Sequence, residues 1–395
     1  METYDFAPLL GKKVVVGVTA SISLYRAPDI IRELRREGAE VIVGMSREAT
    51  DLLSPKVLEW ASGNRVITEI SGEIEHINLF MGQRENLVYL ISPATYNTIG
   101  KLANGISDDV PSLFFSFALG HGIRTMISPA MHEDMMTNPA NRRNMDSLRS
   151  FGTSIIPPRH EDDKAKIAEN AIIADYVNRA FYGNYLPGKK ILVISGRGEE
   201  PLDPVRTISN HSSGTMGSMI AKYAFRMGSS VTFIGNSVMT LPDYVEFNDA
   251  HTMNEFEAAT MRCLEEKYDA VIIPAALPDF APKEKSVRKI SERDEVNISF
   301  RKVPKLIDSV RKKHKGVLVA FRLYHENDTE THFSGSDPDI TVYNAIGGAE
   351  SPFGKGKVSY SIGYGGKIVE FPGVGKDRLA HELLKIISEK LGSVR

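Results

Sequence analysis

The sequence predicts an α/β protein made of two open parallel-sheet domains, and three observations carry that expectation. One strand–loop–helix pattern occurs twice: "GKKVVVGVTAS" at 11–21 and "GKKILVISGRG" at 188–198 each join a basic lead-in to a short β-branched run and a small-residue loop. The chain has 395 residues, beyond the size at which one hydrophobic core keeps growing. Each apolar run is too short for a typical helix and too continuous for a half-exposed strand, which is the signature of a strand buried on both faces.

The elements follow in order. After the first loop, Pro28–Glu37 carries Ile30, Ile31 and Leu34 at helical spacing, stops at Gly38 and leads into the strand "AEVIVGMS". Further strands are expected at Leu87–Ser92 and Arg124–Ser128. "RAFYGNYLPGKK" (179–190) has the glycine and proline of a linker, so the division falls near 186, giving domains 1–186 and 187–395. After the second loop, Met216–Arg226 is helical, ends at Gly228 and leads into "SSVTFIGN", with later strands at Ala270–Pro274, Val317–Phe321 and Ile340–Asn344. Lys283–Arg301 is charge-rich and begins as an exposed loop. "GRGEEP" lacks the third glycine of a dinucleotide fingerprint, which argues against NAD.

Composition narrows the class. With 42% apolar and 25% charged residues and a net charge of −2, the chain has the make-up of ordinary globular protein and no excess charge for nucleic acid or an anionic membrane. The acidic start METYDFAPLL does not read as a signal peptide, and the apolar patch at Leu113–Leu119 is too short to span a bilayer. A single cysteine, Cys263, excludes an internal disulfide and fits the reducing cytoplasm. It shares a helical face with Phe256 and Ala259 and reads as a small core hydrophobe.

Four polar loops follow first-domain strands: "TASIS" (19–23), "MSREA" (45–49), "ISPATYNTIGKLANGISDD" (91–109) and "ISPAMHEDM" (127–135). Ligands of open sheets gather at the carboxyl ends of strands, and a helix start favours phosphate. With "EIEHINL" (73–79), these segments resemble, in order and spacing, the flavin-dependent cysteine decarboxylase family over residues 10–180. The resemblance implies a flavodoxin-like domain that binds FMN and decarboxylates 4′-phosphopantothenoylcysteine. It places Ser21, Ser46, Thr95, Asn97, Ala130 and Met131 around FMN, with Ser21 near its phosphate, and makes His76 the active-site base. A base of near-neutral pKa suits removal of a thiol proton; the family oxidises the thiol carbon so that CO2 can leave, and the flavin supplies that hard chemistry. Two departures stand out. His132 replaces the asparagine of the bacterial Pro-Ala-Met-Asn motif, and the bacterial lid cysteine has no counterpart in "PPRHEDDKAKIAEN" (157–170). Lys164 and Lys166 of that segment are the candidate lid and proton source, an arrangement similar to the archaeal branch.

"SGRGEEPLDPVRTISNHSSGTMG" (195–217) resembles the signature of phosphopantothenate–cysteine ligase. "PAALPDFAP" (274–282), "KI" (289–290), "VPKLI" (303–307) and "YNAIGG" (343–348) match in order, and the resemblance spans residues 187–390. It implies a Rossmann-like domain that couples phosphopantothenate to cysteine through an acyl-nucleotide, an acyl-CMP formed from CTP with Mg2+. Asn210 would contact the acyl-cytidylate and Ser212, Ser213 and Gly214 would cradle phosphate. Asp279 and Phe321 would flank the nucleotide beside Pro304, Lys305, Leu306 and Ile307, and Lys289 would stabilise the transferring phosphate. Thr215 replaces the family's loop lysine, "KISE" (289–292) its Lys-Ile-Lys-Lys, and "FRLYHE" (321–326) its Phe-Ala-Ala-Glu-Thr. No lysine lies between Lys315 and Lys355, where one meets the nucleotide phosphates, so Lys302 or Arg322 is the expected substitute. Flavin relatives form trimers and ligase relatives dimers, which implies a homo-oligomer, up to a dodecamer. Two other readings stay open: a ligase whose flavin domain is only a scaffold, and a flavin-binding regulatory protein.

Overall fold

The computed structural model describes residues 6–82, 84–161, 164–237, 239–291, 296–325, 338–346 and 356–392. The chain divides into two compact units, Met1–Phe181 and Tyr182–Arg395.

In the first unit the strands are β1 (Lys13–Val18), β2 (Glu40–Met45), β3 (Val66–Ile67), β4 (Leu87–Ala94), β5 (Arg124–Pro129), β6 (Met131–His132), β7 (Ser154–Ile155), β8 (Arg159–Glu161) and β9 (Lys164–Lys166). The main sheet runs β3-β2-β1-β4-β5-β7, with every pairing parallel. Without the two-residue edge strand β3, the order is second, first, third, fourth, fifth along the chain, the flavodoxin order. All eight residues of β4 are buried, as expected when helices cover both faces. Helix Ala27–Arg36 buries Ala27, Ile30, Ile31 and Leu34, the apolar stripe legible in its spacing. β1 needs Gly17 because a Cβ there would lie 2.3 Å from the Tyr89 hydroxyl oxygen. That buried phenol donates to the Pro111 carbonyl at 2.7 Å, and burial holds its pKa well above the usual tyrosine value.

A second, antiparallel sheet in this unit has the order β6-β9-β8. Its hairpin β8–β9 occupies part of the segment expected as a lid, and β9 pairs with β6 so that Lys164 sits opposite His132 and Ala165 opposite Met131.

In the second unit the strands are β10 (Lys190–Ser195), β11 (Glu199–Pro201), β12 (Thr207–Ser209), β13 (Ser230–Gly235), β14 (Val245–Asp249), β15 (Ala270–Ile273), β16 (Phe280–Pro282), β17 (Phe300–Lys302), β18 (Val317–His325), β19 (Ile340–Ile346), β20 (Val358–Tyr364) and β21 (Lys367–Val374). The main sheet runs β14-β13-β10-β15-β18-β19-β20-β21. It is parallel from β14 to β19, and the expected parallel sheet is extended by an antiparallel hairpin, β20–β21. The hairpin turns at Gly365 and Gly366, with φ of +56° and +77°, the left-handed pair that a tight two-residue hairpin demands. Because the chain reverses twice, β21 runs in the direction of β19. It therefore delivers the first turn of helix Lys376–Lys390 to the carboxyl end of the sheet. That helix buries Leu379, Leu383, Leu384 and Ile387 and packs against helix Thr215–Arg226. Cys263 ends helix Met253–Cys263, half-buried against the core, and burial raises its thiol pKa.

Candidate functional site

The register of β1, β2, β4 and β5 brings four loops to one sheet edge: Val18 lies opposite Met45, Gly17 opposite Ile91 and Ala94 opposite Pro129. Three of these loops end in a hydroxyl that opens a helical segment. Ser21 accepts from the Ser23 amide at 3.2 Å, Ser46 from Ala49 at 3.3 Å and Thr95 from Thr98 at 3.1 Å. A hydroxyl that accepts at its oxygen keeps its proton to donate. Asn97 is exposed on the first turn after Thr95. Ala130 is buried and its amide donates to the Ala94 carbonyl at 3.1 Å, tying the "PAMH" loop to the "PATYN" loop.

His76 lies in the single turn Glu75–Asn78, entered through Ile74 at φ +48°, the one non-glycine residue with positive φ among the described residues. Its ring meets Phe117 edge-on at 4.6 Å. Its Nδ1 is buried and has no hydrogen-bond partner among the described residues, an unusual state for a ring nitrogen.

His132 accepts from the Asp134 amide at Nδ1, 3.3 Å away. On the adjoining hairpin, the His160 Nδ1 is 2.9 Å from Glu133 Oε2, and Lys166 pairs with Glu161 at 3.2 Å. Arg159 bridges to Glu161 and Glu169, and Arg26 reaches Glu169 at 2.8 Å. The Arg26 hydrogen bond is the main cause holding the Glu169 carboxyl below its usual pKa. His132 and Lys164, distant in sequence, are thus adjacent across two strands. Residues 162–163 of the same segment lie outside the described residues.

In the second unit a cavity of about 510 Å³ is lined by Asn210, Ser212, Ser213, Gly214, Asp279 and Phe321, together with residues that sequence reasoning did not single out. Gly214 opens helix Thr215–Arg226 in a left-handed conformation, φ +70°, with no side-chain cap of its own. The Thr215 amide donates to the Ser213 hydroxyl at 3.4 Å, and the helix start lies in the cavity wall, where its amides favour an anion. A Cβ at Gly214 would stand 2.5 Å from the Asn236 carbonyl oxygen, and one at Gly217 would stand 2.1 Å from the Ser195 hydroxyl; glycine lets the loop approach that closely. Asn210 donates to the carbonyls of Ala276 and Leu277 at 3.3 and 3.1 Å, joining the SSG loop to "PAALPDF".

A smaller cavity of about 190 Å³ is lined by Pro304, Lys305, Leu306 and Ile307 and shares Asp279 and Phe321 with the first. Lys289 is exposed and lines neither cavity. Its neighbour Ile290 is pinned instead. The Ile290 amide donates to Asp203 at 3.0 Å and its carbonyl accepts from Arg206 at 2.9 Å. Asp203 also accepts from the amides of Val205 and Arg206; the Ile290 bond leads the causes that keep its carboxyl far below the ordinary range.

Of the two expected substitutes for the missing lysine, Arg322 lines the larger cavity and Lys302, exposed on β17, does not. Three further lining residues are Asn344, Tyr360 and Lys376. Asn344 is 8% exposed, and its Oδ1 has no partner among the described residues. It sits opposite Leu323 and Tyr360 in the register, so one row across β18, β19 and β20 faces the cavity. In the sequence it lies within the "YNAIGG" segment. Gly347, Gly348, Glu292, Glu326 and Lys355 lie outside the described residues. Among the described residues, no group of histidine, cysteine and carboxylate side chains could hold a metal ion and no helix is long and apolar enough to cross a membrane.

Comparison with known proteins divides the chain at nearly the same place. Residues 7–181 match the family described as Flavoprotein, and residues 186–391 match the DNA/pantothenate metabolism flavoprotein C-terminal domain. The coenzyme A biosynthesis bifunctional protein CoaBC of Thermococcus kodakarensis is 39% identical over 80% of this chain and 78% of its own length. The protein of the same name from Methanocaldococcus jannaschii is 32% identical over 85% and 82%. Among solved structures, the FMN-dependent cysteine decarboxylase SpaF is 27% identical over 44% of this chain and 98% of its own, with a TM-score of 0.38.

Proposed function

The chain belongs to the family of coenzyme A biosynthesis bifunctional proteins, and we propose the division of labour between its units. The second unit, from about residue 187, joins cysteine to 4′-phosphopantothenate through an acyl-nucleotide made from CTP with Mg2+. The first unit then decarboxylates the product to 4′-phosphopantetheine with FMN. The enzyme works in the cytoplasm as a homo-oligomer.

The observation that carries the ligase reading is one cavity that combines a helix start and the SSG loop with Asp279 and Phe321. Amides at a helix N-terminus suit phosphate, and a carboxylate beside an aromatic ring suits a base bearing an exocyclic amino group. Asn210 would hold the acyl-nucleotide against the 276–277 carbonyls. Lys289, exposed beside the clamped Ile290 and outside both cavity walls, would have to swing towards the cavity to serve the transferring phosphate.

The first unit fits a flavin mononucleotide. Ser21, Ser46 and Thr95 carry hydroxyls at three helix starts around one edge, the Thr95 hydroxyl also lying 2.9 Å from that of Thr98, and Asn97, Ala130 and Met131 would complete the rim. When bound, the flavin supplies the oxidation that turns CO2 into a leaving group. The His76 imidazole, half-buried against Phe117, takes the thiol proton. His132 holds the substrate carboxylate, and Lys164 and Lys166 on the adjoining hairpin return a proton to the product.

Incubation of the purified protein with phosphopantothenate, cysteine, CTP and Mg2+ tests both halves, with pyrophosphate and CO2 measured separately. Both products are expected. Pyrophosphate without CO2 would favour the reading of a ligase on a flavin scaffold, which the absence of a cysteine from residues 157–170 also favours. Neither product would favour a flavin-binding regulator.

A further inference from the structure

We propose that Lys376, at the start of the C-terminal helix, is the cation that holds the nucleotide's phosphate chain in the second unit, together with Arg322. The inference rests on the ligase reading above and assigns a residue that the sequence motifs leave out.

The cavity's charges point to a polyanion. Among the described residues its lining contains one carboxylate, Asp279, beside Arg322 and Lys376, and the helix amides behind Gly214 add positive potential. Lys302, the other substitute, is exposed on β17 and outside the wall. Lys305 lines the smaller cavity alone.

Lys376 is also costly where it stands. It is the first residue of helix Lys376–Lys390, after Gly375, and a cation there opposes the helix dipole. It is half-buried, and desolvation lowers its pKa. Both costs are relieved when an anion occupies the cavity beside it. A residue that breaks local rules in a cavity wall marks a functional position more often than a structural one. The topology explains why sequence spacing hides it. Only after the β20–β21 hairpin reverses the chain twice does the helix start arrive at the carboxyl end of the sheet, beside the SSG loop.

The test is a titration of the full-length protein and of Lys376→Met and Lys376→Arg with cytidine, CMP, CTP and 4′-phosphopantothenate, and with ATP in parallel. A charge-assisted contact of the usual strength corresponds to about a 10- to 100-fold change in affinity. Lys376→Met is expected to lose about that much for CTP, less for CMP, and almost nothing for cytidine, while Lys376→Arg keeps most of the CTP affinity. Flavin absorbance and the melting temperature control for folding. An equal loss for cytidine and CTP would make Lys376 structural, a loss confined to phosphopantothenate would move it to the other substrate, and no loss would remove it from the site. Each of these overturns the proposal while leaving the ligase reading intact. A wild-type protein that binds neither CTP nor ATP overturns both.

Discussion

Replacing Gly214 with alanine tests whether the SSG loop is held by close backbone approach, and the structure sets the size of the effect. The residue has φ +70°, a conformation that costs an L-residue about 1–2 kcal/mol. The new Cβ would also stand 2.5 Å from the Asn236 carbonyl oxygen and 3.0 Å from the Ser237 Cα, so backbone must move. Asn236 resists, because its side chain accepts from the Arg197 amide at 3.0 Å and donates to the carbonyls of Arg197 and Ala250 at 2.9 and 3.0 Å. Loosening one or two such bonds adds about 1–2 kcal/mol. The total is about 2–4 kcal/mol, which lowers the melting temperature of a unit this size by about 5–15 °C. Gly188→Ala is the control, because Gly188 has φ +66° but a Cβ there meets nothing within 4 Å; it should cost only the conformational share. Differential scanning calorimetry of the full chain reads both melting temperatures, and a CTP titration should show loss of affinity for Gly214→Ala alone. If Gly214→Ala melts within about 2 °C of Gly188→Ala and binds CTP normally, close approach of the loop is not what glycine provides.

His76→Ala should abolish CO2 release from supplied phosphopantothenoylcysteine while flavin absorbance persists; retained decarboxylation would remove His76 as the base. Asn210→Ala should reduce pyrophosphate formation on the order of 100-fold and leave decarboxylation intact, whereas equal loss of both activities would mean a structural role. The third concerns pH. His381 is buried against the rings of Tyr182 and Tyr223, and burial lowers its pKa from 6.5 to about 4. Between those values the unfolded chain binds the proton and the folded one does not, so stability is full above pH 6.5 and falls as pH drops towards 4. The loss is at most about 3 kcal/mol. Urea unfolding of His381→Gln should show a shallower acid limb than wild type, and an unchanged limb would assign the acid sensitivity to other groups.

Local pattern carried much of this molecule. The paired strand–loop–helix openings, the stripe of Ile30, Ile31 and Leu34, the two glycine stops and the apolar runs of β1 and β10 depend on periodicity within a few residues, and the structure reproduces them with boundaries shifted by a few positions. The SSG loop, Asp279 and Phe321 each lie in a short motif that the sequence shows, the first two in loops that follow strands and Phe321 within β18 itself. The Gly365–Gly366 turn is likewise a local dipeptide signal, since both residues take positive φ between paired strands.

Other features exist only once distant segments meet. The pairing of β6 with β9 sets Lys164 opposite His132, and no period links those positions. The clamp on Ile290 joins residues that Asp203 and Arg206 cannot reach along the chain. Asn344 and Lys376 enter the cavity through strand register and a double chain reversal. Side-chain period sets which face a residue takes on its own element, but the neighbours on that face are chosen by register and crossover, which burial and hydrogen bonding across the whole sheet decide.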